Sequence, residues 1–183
     1  MPGSSSPTGR DLLATTGEDA RQRFHMIDVG EKAPTKRRAL ARGRIRMSRA
    51  AFDALRLGKN PKGDVLAQAE VAGMLAAKRT AELIPLCHPL ALDQVRVRFE
   101  LVPEWCSVIA SCEASATART GVEMEALQGV SGALLAIYDL SKAVDPVLTI
   151  SDIHLSVKDG GKSGRWTHPE PPAPPAGGGS GRE

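Results

Sequence analysis

QVRVRFELVPEWCSVIASCEASATA, residues 94–118, reads as two strands joined by a turn. From Gln94 to Val102 apolar and polar residues alternate, with Val95, Val97, Phe99 and Leu101 on one side. Successive side chains of a strand point to opposite faces, so this period of two marks a half-buried strand. Cys106–Ala118 is its expected partner across the turn at Pro103–Trp105. Cys106 and Cys112 fall on the face of Val108 and Ala110, which makes them core residues rather than ligands.

On the amino-terminal side, RALARGRIRM (38–47) alternates in the same way, with Ala39, Ala41, Gly43, Ile45 and Met47 on one face. SRAAFDALRL (48–57) follows as a short helix. The stretch 63–84 reads as one longer helix, with Asp64 as N-cap, Pro85 as its stop, and Val65, Ala69, Ala72 and Ala76 as its inner face. Beyond the hairpin, 122–144 reads as a second long helix and DIHLSV (152–157) as a last strand, with Ile153, Leu155 and Val157 on one side. The order strand, helix, hairpin, helix, strand predicts an α+β fold. It is a ferredoxin-like split β-α-β, one antiparallel sheet with its helices on one face.

The domain is expected over residues 26–166. The Ser-, Gly- and charge-rich stretch 1–25 and the Pro- and Gly-rich stretch 167–183 lack the apolar content to offset chain entropy, so both are expected to be disordered. A length of 183 residues suits one domain with tails. A net charge of +3 with aromatics at 3% argues against a nucleic-acid surface. No apolar run approaches the roughly 20 residues that span a bilayer, and the amino terminus has no secretory pattern. A cytoplasmic protein without membrane partners is the expectation, with its three cysteines as free thiols.

Several residues could carry chemistry. Asp139 and Lys142 stand three apart on the second long helix. They form either a surface ion pair or an acid and a base in an occluded pocket, and periodicity does not choose. Lys62 precedes a helix start, where free N–H groups and the dipole favour anions; a solvated loop lysine has the same pattern. GGKSG (160–164) fails as a P-loop because Ser156 stands where a glycine is required, which leaves Lys158 and Lys162 flanking a glycine-rich turn. LIPLCHPL (83–90) presents His88 between two prolines. Adjacent Cys87 and His88 do not converge on one metal, so no metal is expected. Glu123 and Glu125 begin the second long helix, as carboxylates commonly do.

Taken together, HMIDVG, KGDV, AAKRTAELIPLCHPL, TGVEMEAL, IYDLSKAV and KDGGKSG resemble, in order and spacing, the cyclic pyranopterin monophosphate synthases, accessory protein C of molybdenum cofactor biosynthesis. The resemblance runs from about His25 to Gly164. It implies a ferredoxin-like fold assembled as a homohexamer, a trimer of dimers with each active site at a subunit boundary. It further implies conversion of 3',8-cyclo-7,8-dihydroguanosine 5'-triphosphate to cyclic pyranopterin monophosphate and pyrophosphate, a phosphorus–oxygen lyase reaction needing no cofactor. By the same resemblance Asp139, Lys142 and Lys62 are catalytic. Leu86, Cys87, His88, Met124, Glu125 and Lys158 bind substrate, with Glu123 inside the same motif, and Lys62 and Asp139 of one site are expected to come from different chains. Lys162, on the glycine-rich turn, is the further substrate-binding candidate for phosphate oxygens. Leu140 and Ser141 depart from a frequent family Met and Cys without touching Asp139 or Lys142. A triphosphate-sensing module without catalysis, or an RNA-binding sheet, are the readings from other classes; the scarcity of aromatics disfavours the second.

Overall fold

Four long strands and two long helices account for the architecture that this computed structural model describes over residues 24–162 and 164–169. The elements are β1 (Thr35–Arg46), α1 (Arg49–Arg56), α2 (Val65–Lys78), α3 (Thr80–Leu83), β2 (Gln94–Val102), β3 (Ser107–Ala118), α4 (Glu123–Ser141), β4 (Thr149–Asp159) and β5 (Trp166–Thr167). The sheet order is β2-β3-β1-β4-β5 and every pairing is antiparallel. This is the split β-α-β arrangement expected from the alternations. The expectation of disordered ends falls mostly on 1–23 and 170–183, outside the described residues.

The hairpin pairs as anticipated, with Val97 opposite Cys112 and Phe99 opposite Ala110. Ala39, Ala41 and Ile45 of β1, with Val108, Ala110, Cys112 and Ala114 of β3, bury their side chains against Ala126, Val130, Ala133, Leu134 and Ile137 of α4. Cys106 differs from expectation. It sits in the left-handed region (φ 45°) at the end of a 3-10 turn over Pro103–Trp105, half-buried, and is not part of the strand.

Helix 63–84 breaks in two at Arg79. Asp64 does cap α2, accepting from the Ala67 N–H at 3.0 Å. At the other end the Thr80 hydroxyl donates to the Ala77 carbonyl at 2.9 Å, a local bond that competes with helix continuation. The buried stripe of α2 is Val65, Ala69, Gly73 and Ala77, while Ala72 and Ala76 are half-buried toward α4. There Gly132 of α4 lies so close that an added Cβ would come within 2.4 Å of the Ala76 Cβ. Small residues let the two helices approach backbone to backbone.

β4 is not the simple alternation expected of DIHLSV. Its register against β1 shifts between Leu40 and Ala41 and again between Arg42 and Arg44, and Asp152 is left-handed at φ 56°. Each extra residue of a bulge reverses the faces of the residues beyond it. Leu155 therefore pairs with inward Ala41, whereas Val157 pairs with Leu40 on the other face. Ile153 keeps the helix side with Leu155, near Gly43, Val130 and Leu134, although it is 40% exposed. The same bulge returns Lys158 to the helix side, opposite Ala39. β5 was not anticipated; it adds a short strand at the β4 edge, across the boundary expected at 166.

Candidate active site

Helices α2 and α4 pack antiparallel, with Gly73 beside Gly129 and Lys62, just before α2, beside Asp139 near the end of α4. This arrangement sends the loop before α2 to the carboxyl end of α4 and the loop after it to the amino end. The candidate residues consequently gather in two places.

At the carboxyl end, Lys62 Nζ donates to the Asp139 backbone carbonyl at 3.0 Å and lies 3.3 Å from Asp139 Oδ2. Lys142 Nζ lies 2.6 Å from Asp139 Oδ1. The last carbonyls of a helix have no partner within it and carry the negative end of its dipole, so two ammonium groups are well placed there. Lys142, then Lys62, hold the Asp139 carboxyl below the usual carboxylate range, and Asp139 raises Lys142. Within one chain the cluster is open to solvent, with Asp139 57% and Lys142 55% exposed at the side chain. Lys62 and Asp139 meet in one subunit, which corrects the expectation that a site draws them from two.

At the amino end, the segment Leu86–His88 faces the first turn of α4. Leu86, Cys87, His88, Glu123, Met124 and Glu125 all line one cavity of about 500 Å³. The remaining wall comes from His25, Ile27, Val29, Lys32, Leu90, Thr120 and Gly121. No single side chain of this amino-terminal segment was singled out from the sequence, because a loop carries no periodicity to reveal its direction; the HMIDVG match was its only signal. Glu125 is 5% exposed. Burial, then the Glu123 charge, raises its carboxyl, and burial with the Glu125 charge likewise raises the Cys87 thiol. His88 Nε2 is buried without a hydrogen-bond partner, and His88 lines the same cavity as Glu125, whose carboxyl is inclined to hold a proton.

Lys158 reaches the same end of the molecule, 3.5 Å from Glu123 Oε1. Lys162 is exposed in the turn after β4 and does not line the cavity. Among the described residues no group of three or more His, Cys, Asp or Glu could hold a metal ion. The apolar walls suit a flat heterocycle and the lysines suit an anion. Glu123 and Asp139 stand sixteen positions apart on α4. At about 1.5 Å per residue the two clusters are ~24 Å apart, too far to act on one small molecule.

The sequence model of the MoaC family matches residues 26–161. Relatives named cyclic pyranopterin monophosphate synthase include one from Novosphingobium aromaticivorans, 57% identical over 141 residues, covering 77% of this chain and 88% of the relative. Another, from Herpetosiphon aurantiacus, is 49% identical over 154 residues, covering 84% and 94%. A third, from Clostridium botulinum, is 52% identical over 139 residues, covering 76% and 87%. Apart from His25, the residues of both clusters lie inside the matched span, and the chain belongs to the MoaC family.

Proposed function

We propose that the chain is a cyclic pyranopterin monophosphate synthase of molybdenum cofactor biosynthesis, a cytoplasmic phosphorus–oxygen lyase. It converts 3',8-cyclo-7,8-dihydroguanosine 5'-triphosphate to cyclic pyranopterin monophosphate and releases pyrophosphate. The observation that carries this reading is the convergence of Leu86–His88 with Met124 and Glu125 on one cavity, in a chain about half identical to proteins bearing that name.

In this reading the heterocycle occupies the apolar cavity, with His88 and Glu125 exchanging protons at its edge. Lys158, and Lys162 near it, bind phosphate oxygens. The Asp139 carboxylate and the Lys142 and Lys62 ammonium groups come from a second copy of the chain, which closes the ~24 Å gap between the clusters. Lys142 then protonates a leaving group and Asp139, ionised, accepts a proton. Occlusion by the neighbour is what brings their proton affinities toward neutrality, since in a single chain each strengthens the charge of the other. A homohexamer built as a trimer of dimers provides such boundaries.

Incubation with the cyclic triphosphate, followed by mass spectrometry, is expected to show cyclic pyranopterin monophosphate and pyrophosphate in equal amounts. Binding without pyrophosphate release would instead favour a sensing module.

A further inference from the structure

Lys62 sits in the loop Asn60-Pro61-Lys62-Gly63-Asp64, and both polar groups of its backbone are held by side chains. Its N–H donates to Asn60 Oδ1 at 2.9 Å. Its carbonyl accepts from Gln68 Nε2 at 3.0 Å. The Gly63 N–H closes the turn onto the Asn60 carbonyl at 3.0 Å, and Gly63 takes φ 92°, a conformation that a glycine adopts without strain. Asn60 is itself buried, so the turn is anchored to the body of the domain. Gln68 stands one helical turn after the Asp64 cap, on the exposed side of α2.

We propose that Asn60 and Gln68 are positioning residues, which clamp the Lys62 peptide from both sides and aim its ammonium group at Asp139. The proposal rests on the synthase reading, in which Lys62 belongs to the catalytic cluster. A half-exposed lysine on a free loop spreads over many rotamers and loop conformers, and each one lost on binding costs entropy. With the peptide held at N–H and carbonyl, only the side-chain torsions remain. The clamp thus supplies orientation before substrate arrives, and a misplacement of about 1 Å in such a group lowers the rate by up to about a hundredfold. Asn60 and Gln68 hydrogen-bond the Lys62 backbone rather than Asp139, and neither lines the cavity, so they act through Lys62.

The test variant is Gln68→Met, which keeps length and helix propensity and removes the amide whose Nε2 donates to the Lys62 carbonyl. Asn60 is less suitable because its burial couples any change to folding. Two readouts are taken on the full chain. The first is acylation of Lys62 by an amine-reactive ester, followed by peptide mass spectrometry, with Lys142 as internal reference. The second is the steady-state rate of pyrophosphate release. The expected result is a several-fold rise in Lys62 acylation relative to Lys142, and a turnover number lowered about tenfold. The melting temperature is expected to stay within roughly 2 °C, as for other exposed substitutions. Unchanged Lys62 reactivity would overturn the clamp. Raised reactivity with wild-type turnover would overturn its catalytic purpose. A wild-type protein that releases no pyrophosphate would instead sink the synthase reading and with it any catalytic role, while the acylation ratio would still decide whether the clamp exists.

Discussion

Asp139 and Lys142 strengthen each other's charge, the reverse of what proton transfer at neutral pH requires. In the proposed reaction their use therefore depends on what covers them, and on each keeping its own chemistry. Lys142→Ala is expected to lower pyrophosphate release at least a hundredfold, the ordinary worth of a placed proton donor, while circular dichroism and assembly stay unchanged. Turnover near the wild-type rate would return Lys142 to a surface ion pair. Glu125 makes the opposite case, because it is already buried within its own chain. Its raised proton affinity means the folded state holds the proton to higher pH than the unfolded state does. Stability contributed at this position is thus intact below the unfolded value near pH 4.3 and falls as pH rises through the folded one. Glu125→Gln is expected to melt higher than wild type at pH 7 and level with it at pH 3.5. Equal melting at both would mean that burial does not tax the carboxylate.

Between elements, the α2–α4 contact decides where Lys62 and Leu86–His88 land relative to the two ends of α4. It is built from Gly73, Ala76, Gly129 and Gly132, and a Cβ at Gly73 would come within 2.8 Å of the Gly129 backbone carbonyl. Backbone cannot step aside as a side chain can. Gly73→Ala is expected to cost about 1–3 kcal/mol, as other overpacked contacts do. Thermal unfolding should show a fall of several degrees in a chain of this size. An unchanged melting temperature would mean that the helices separate freely. The existence and type of these elements were legible from periodicity, since Val95 to Leu101 and Ala39 to Ile45 alternate plainly. Their interruptions were not. The Thr80 hydroxyl bond that ends α2 and the one-residue register shift that turns Lys158 inward are local irregularities, which leave no period in the sequence.

Over the whole molecule, one chain holds two clusters of candidate residues at opposite ends of α4. If a neighbour supplies the second cluster of a site, variants defective in different clusters should rescue each other. Lys142→Ala and His88→Ala subunits, dissociated and reassembled together, are expected to regain a fraction of wild-type pyrophosphate release. Lys142→Ala mixed with Lys62→Ala should regain none, because both lysines gather on Asp139 within one chain. Rescue in the second mixture, or none in the first with mixed oligomers seen by native mass spectrometry, would contradict the shared site.

By itself the sequence determined the strand alternation, the two long helices, the α+β order and, through LIPLCHPL, GVEMEAL and IYDLSKAV, the family. These are local patterns, written in residues close along the chain. Only the tertiary structure decided that Leu86–His88 and Met124–Glu125 share one cavity, that Lys62 belongs with Asp139 in the same subunit, and that the two groups stand a helix length apart. The reason is the antiparallel packing of α2 on α4. Which loop meets which helix end depends on how two small-residue faces dock across the sheet, and that docking joins residues far apart in the chain.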